Sequence, residues 1–171
     1  RSRENPVFGN LWASDDLGKT WTWLEPKLLN EKCNGYSGIT SNGEHVLIAD
    51  KSGAHVFVSD DAGESWDGPF STGTERATLS LVGNEFWLVS SKAARASVDG
   101  RSWRQLPDVI PTGQVIASPD RTLISIDRQR SNILRSVDGG NTWDEVYSFQ
   151  PESKHVHGAQ GLRDIVFGYT R

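Results

Sequence analysis

The chain has 171 residues, a net charge of −4, 36% apolar and 23% charged residues, and a single cysteine, Cys33. That balance suits one soluble globular domain over 1–171, excludes an internal disulfide framework and contains no apolar run of membrane-helix length. Methionine is absent throughout, position 1 included, so a mature or excised product is expected.

In chain order, an arm carrying Arg1, Arg3 and Glu4 leads to SDDLGKTW, Ser14 to Trp21. A strand, turn, strand stretch follows over Ser37 to Asp50, turning at SNGE, and then SDDAGESW, Ser59 to Trp66. The unit recurs as Thr78 to Ser90 with SVDGRSW, Ser97 to Trp103, and as Val115 to Asp127 with SVDGGNTW, Ser136 to Trp143. A last strand pair, Val156 to Tyr169, has no such segment after it, and the first such segment has no strand pair before it.

The four short segments start 45, 38 and 39 residues apart, the regularity of one supersecondary unit repeated so that each copy covers the apolar face of the next. Their residue types describe a self-locking hairpin corner. The aspartates Asp16, Asp61, Asp99 and Asp138 are placed to accept backbone N–H groups of a tight turn, and Gly18, Gly63 and Gly140 supply backbone freedom. The Ser or Thr before each tryptophan closes the same turn. Trp21, Trp66, Trp103 and Trp143 return the chain to the interior, each with an indole N–H that needs a partner. The third copy lacks the residue between Asp99 and Gly100, so its turn is expected to be tighter or distorted.

S-x-D-x-G-x-[ST]-W resembles the Asp-box, or BNR repeat, of β-propellers such as sialidases, sortilin-type receptors, some glycoside hydrolases and photosystem assembly factors. The resemblance implies an all-β propeller of four-stranded antiparallel blades, with Ser14, Ser59, Ser97, Ser136 and the Asp, Gly and Trp of each copy as structural residues. It places each box between the third and fourth strands of a blade. Four blades fit the length if the last strand pair and the first box build one split blade, closed by N- and C-terminal strands. A dimer exchanging half-blades, or a cut from a longer protein, fits the same pattern.

The four boxes carry Asp15, Asp16, Asp60, Asp61, Glu64, Asp99 and Asp138 against Lys19 and Arg101, a sum of −5. The opposite face is expected to carry Lys51, Lys92, Arg95, Arg128, Arg130, Arg171, Arg1 and Arg3 against Asp50, Asp127 and Glu4, a sum of +5. A cationic ring around a depression attracts anions or hydroxyl-rich ligands. The expected ligand residues are therefore Lys51, Arg95, Arg128, Arg130 and Arg171 with Tyr36, Tyr147 and His155.

Sialidase catalysis requires, by the same resemblance, an arginine clamp, a Tyr nucleophile assisted by Glu, and an aromatic-Arg-Ile-Pro motif. Arg3-Glu4-Asn5-Pro6 does not match that motif, and no acid/base pair stands out. His155 and His157 share a strand side without a third metal ligand, so no metal and no cofactor is expected. The reading is a non-catalytic recognition module for a glycan, an anionic group or a protein surface, without nucleic acid or membrane insertion. A glycoside hydrolase and an assembly component are the alternatives. A lone cysteine leaves the compartment open, with a secreted or extracellular one favoured.

Overall fold

In the computed structural model the described residues are 11–24, 35–108, 111, 113–118, 120–127, 132–148, 156–162 and 165–170. They form sixteen strands and no helix, and every strand pair is antiparallel.

Strands β1 (Leu11–Ala13) and β2 (Thr22–Leu24) form a hairpin. Strands β3 (Tyr36–Ser41), β4 (Val46–Asp50), β5 (His55–Ser59) and β6 (Asp67–Ser71) make a four-stranded meander. So do β7 (Thr78–Val82), β8 (Glu85–Val89), β9 (Ala94–Ser97) and β10 (Arg104–Gln105). The third meander is β11 (Val115–Ala117), β12 (Leu123–Asp127), β13 (Asn132–Ser136) and β14 (Asp144–Ser148). Strands β15 (Val156–Leu162) and β16 (Ile165–Thr170) close the series as a second hairpin. Among the described residues the two hairpins are separate two-stranded sheets.

The meanders stand side by side as blades. The first strand of each lies against the first strand of the next, β3 by β7 by β11 by β15. Their middle strands are apolar on both faces, VLIA in β4, VFV in β5 and FWLV in β8, and in the second blade both faces are covered by the neighbouring blades. Between the first and second blades Leu47, Ala49, Val56 and Val58 meet Leu79, Phe86 and Leu88. Trp87, Val89, Ala96 and Leu106 leave the other face of the second blade and meet Val115 and Leu123 of the third. Phe86, Leu47 and Leu88 are fully buried, each a contribution of about 1.5–3 kcal/mol.

In the second and third blades the tryptophan that ends the locked turn joins the interface with the preceding blade. Trp103 packs on the first cluster and Trp143 on the second. Side-chain alternation thus assembles the blades, and the turns between third and fourth strands complete the joints.

Candidate functional site

All four Ser-Asp-Gly-Trp segments sit where the repeat placed them, between third and fourth strands or within the first hairpin, and all close on themselves. In the second copy the Ser59 hydroxyl donates to Asp61 Oδ1 at 2.8 Å and accepts from Gly63 N at 2.8 Å. Ser65 donates its N–H and its hydroxyl to the two oxygens of Asp61, at 2.8 and 2.5 Å, and Trp66 Nε1 donates to the Gly63 carbonyl at 3.1 Å. The first copy repeats this with Ser14, Asp16, Gly18, Thr20 and Trp21. The fourth does so with Ser136, Asp138, Gly140, Thr142 and Trp143.

Two consecutive residues in the left-handed region make this turn, Leu17 and Gly18, Ala62 and Gly63, Gly139 and Gly140. The third copy, one residue shorter, uses Gly100 alone. There Asp99 accepts the N–H groups of Arg101 and Ser102, while Trp103 still reaches the Gly100 carbonyl at 3.0 Å. The expected tightening is therefore the loss of one left-handed residue and of the Ser102 hydroxyl bond.

Hydrogen bonds from the following Ser or Thr hydroxyl, from that residue's N–H and from the leading Ser hold Asp16, Asp61 and Asp138 at a pKa of about 2, below the ordinary 3.8. At Asp99 burial acts upward, and the N–H groups of Ser102 and Arg101 outweigh it, so the net shift is down. A related lock occupies the β11–β12 turn, where Ser118 and Thr122 bind Asp120. Sequence spacing passed over it, since no tryptophan follows.

This end of the molecule is less acidic than its box charges imply. Arg101 pairs with Asp60 at 2.7 Å and Asp67 at 3.1 Å, Arg104 with Glu85 at 2.6 Å, and His45 Nδ1 lies 2.6 Å from Asp60. These carboxylates serve joints within and between blades.

At the opposite end the turns between second and third strands carry a second set of locks. The buried Asp50 carboxylate accepts the Ser52 hydroxyl at 2.8 Å, and Ser90, at the same place in the next blade, accepts the N–H groups of Lys92 and Ala93. The loop after β6 is tied to the first of these turns. The hydroxyls of Thr72 and Thr74 both donate to the Gly53 carbonyl, and Arg76 N donates to Ser52 O. Gly53 has φ +69, and a Cβ there would lie 2.5 Å from Ala77 N, so loop and turn meet through bare backbone.

Tyr36 pairs with Asp50 across β3 and β4, which brings Tyr36 and the exposed Lys51 to this same end. Arg95 is half-buried on β9, its guanidinium against Gly73 and its Nε without a hydrogen-bond partner. Tyr147 is 55% exposed on the outer strand β14, away from the inner strands. Arg128, Arg130, Arg171 and His155 lie outside the described residues.

Two clefts flank the Ser90–Ala94 turn. One, about 470 Å³, is lined by Ala54, Ser71, Gly73, Thr74, Glu75, Ser90, Lys92 and Ala93. The other, about 310 Å³, is lined by Ser90, Ser91, Lys92, Ala93, Ala94, Pro107 and Asp108. Lys92 belongs to the wall they share, and Glu75 and Asp108 each line one of them. The sequence placed Lys92 on this face through its position in a connection between strands, and gave no sign of the two clefts it lines. Among the described residues no cluster of three or more His, Cys, Asp or Glu side chains could hold a metal ion.

Comparison with protein-family models and with curated sequences yields no match. Solved structures do match. A catalytically inactive virginiamycin B lyase from Staphylococcus aureus with quinupristin aligns over 95% of this chain and 59% of its own, at 14% identity and a TM-score of 0.65. A GH74 enzyme of Niastella koreensis aligns over 86% of this chain and 22% of its own, at 21% identity and a TM-score of 0.59. YCF48 bound to D1 peptide aligns over 65% of this chain and 39% of its own, at 20% identity and a TM-score of 0.50. The blades and these likenesses together define a β-propeller fold. The chain spans less than two thirds of the length of each of these neighbours.

Proposed function

We propose that the protein is a non-catalytic recognition module of the Asp-box type, and that it binds a protein or glycan ligand on the face opposite the locked turns. The observation that carries this is the pair of clefts beside the Ser90–Ala94 turn, opened between connections that the frame holds rigidly. The opposite end offers less for a ligand: Asp16, Asp61 and Asp138 are spent on their own turns, and Asp60 and Asp67 on Arg101. Lys51, Arg95, Tyr36 and Tyr147, with Arg128, Arg130, Arg171 and His155, form the wider ligand face of this reading. A propeller of like fold solved with a bound peptide supports a polypeptide ligand.

Probing the protein against peptide and glycan arrays tests this. Lys51→Glu combined with Arg128→Glu is expected to weaken the captured ligand about tenfold or more, while Asp15→Ala in the first locked turn changes nothing. Equal binding by all three proteins would remove the proposed face. A fluorogenic glycoside panel serves the hydrolase alternative, and turnover of any substrate would overturn the non-catalytic reading.

A further inference from the structure

The two clefts differ from a general cationic face in the order of their charges. Glu75 lines the larger, Asp108 lines the smaller, and Lys92 stands on the turn between, so acid, base and acid follow one another across the site. All three side chains belong to exposed residues and form no ion pair among the described residues. Charged groups left unpaired around a concave surface favour a ligand carrying the reverse order.

The rest of the lining narrows the ligand class. Ala54, Gly73, Ala93 and Ala94 are small and admit close approach of a backbone, while Ser71, Thr74 and Ser91 bring hydroxyls. Among the described residues neither cleft is lined by an aromatic ring, the platform on which a sugar ring stacks, and neutral sugars carry no cations to meet Glu75 and Asp108. A polypeptide supplies both signs at residue spacing and backbone groups for the hydroxyls.

Building on the recognition reading above, we infer that the ligand is an extended peptide with an acidic side chain flanked by two basic ones, lying over the Ser90–Ala94 turn. The acid meets Lys92, and the two bases meet Glu75 and Asp108. The turn beneath is held by the Ser90 hydroxyl, which donates to the Ala93 carbonyl at 2.9 Å and accepts the N–H groups of Lys92 and Ala93. Lys92 therefore stands on a fixed backbone, which limits the ordering cost of binding.

The test is fluorescence anisotropy with labelled, end-blocked peptides of the pattern Lys-Gly-Glu-Gly-Lys, with one or two glycines as spacers, beside the reversed pattern Glu-Gly-Lys-Gly-Glu. The first pattern is expected to bind about tenfold or more tightly than the second. Lys92→Glu should abolish that preference and Lys92→Gln should reduce it. Reversal of all three charges, Glu75→Lys, Lys92→Glu and Asp108→Lys, should transfer it to the second pattern. Equal affinities for both patterns, or a preference that survives Lys92→Glu, would overturn the charge-ordered cleft while leaving a binding module in place. Binding of neutral glycans with no peptide binding would overturn the ligand class. Failure of peptides and glycans alike would overturn the recognition reading itself. Melting curves on each variant check that these exposed substitutions leave the fold intact.

Discussion

Asp61 shows what a carboxylate costs and supplies in this molecule. It sits at an exposed turn, yet three donors point at it, and its pKa falls to about 2. Asp16 and Asp138 repeat the arrangement. A folded-state pKa below the ordinary 3.8 means that stabilisation is complete above about pH 4 and is lost as pH falls toward 2. Acid unfolding followed by circular dichroism should therefore begin below pH 4. Asp138→Asn should flatten that dependence by removing one of the three groups, at the expense of stability at neutral pH. An acid limb as steep as in the unmodified protein would refute the assignment of the Asp138 bonds. Residue types in the repeat already specified the Asp, the hydroxyl and the indole donor. The role of the leading Ser, which both donates to the Asp and accepts a glycine N–H, emerged only from atomic geometry.

At the scale of the element, the turn needs two successive left-handed residues, and the copies supply them differently. The fourth has Gly139 and Gly140, while the second has Ala62 at φ 57 before Gly63. An alanine in that region is strained by roughly 1 kcal/mol, so Ala62→Gly should be neutral or stabilising. Gly140→Ala should lower the melting temperature, because its φ is +93 and a Cβ would stand 3.1 Å from the Trp87 ring. Differential scanning calorimetry on the two variants separates them, and a stabilised Gly140→Ala would refute this account of the turn. Strand positions were legible because middle strands covered on both faces are continuous apolar runs between turn signals. The second family of locks, at Asp50 and Ser90, was not legible, because its hydrogen bonds vary from blade to blade and leave no common motif.

At the scale of the whole molecule, each blade covers its neighbour, and the cover is uneven at the ends of the series. Along one row of the first four-stranded blade, Ile48 and Phe57 are 2% exposed while Ile39 is 57% exposed. Trp21, in the first hairpin, is 59% exposed, whereas Trp103 packs between blades. Trp103→Ala should cost on the order of 3 kcal/mol, and Trp21→Ala well under about 1 kcal/mol, in denaturant unfolding. Equal losses would mean that Trp21 is packed in solution as Trp103 is, which a closing half-blade, a second copy or further chain would supply. Light scattering distinguishes a closed monomer from a dimer that exchanges half-blades.

The repeat of Asp, Gly and Trp at blade spacing determined the fold class, the strand order and the place of the four Ser-Asp-Gly-Trp turns, because these follow from local hydrogen bonding and side-chain alternation that neighbouring residues carry by themselves. Charge counting along the chain led to the expectation of a cationic face but to no site. Tertiary structure decided that Arg101 neutralises Asp60 from a different blade, and that Arg95 is half-buried against Gly73. It alone set Lys92 between Glu75 and Asp108. Those relations join residues that no repeat links in sequence, and only the packing of one blade against the next brings their charges within reach of each other or of a common ligand.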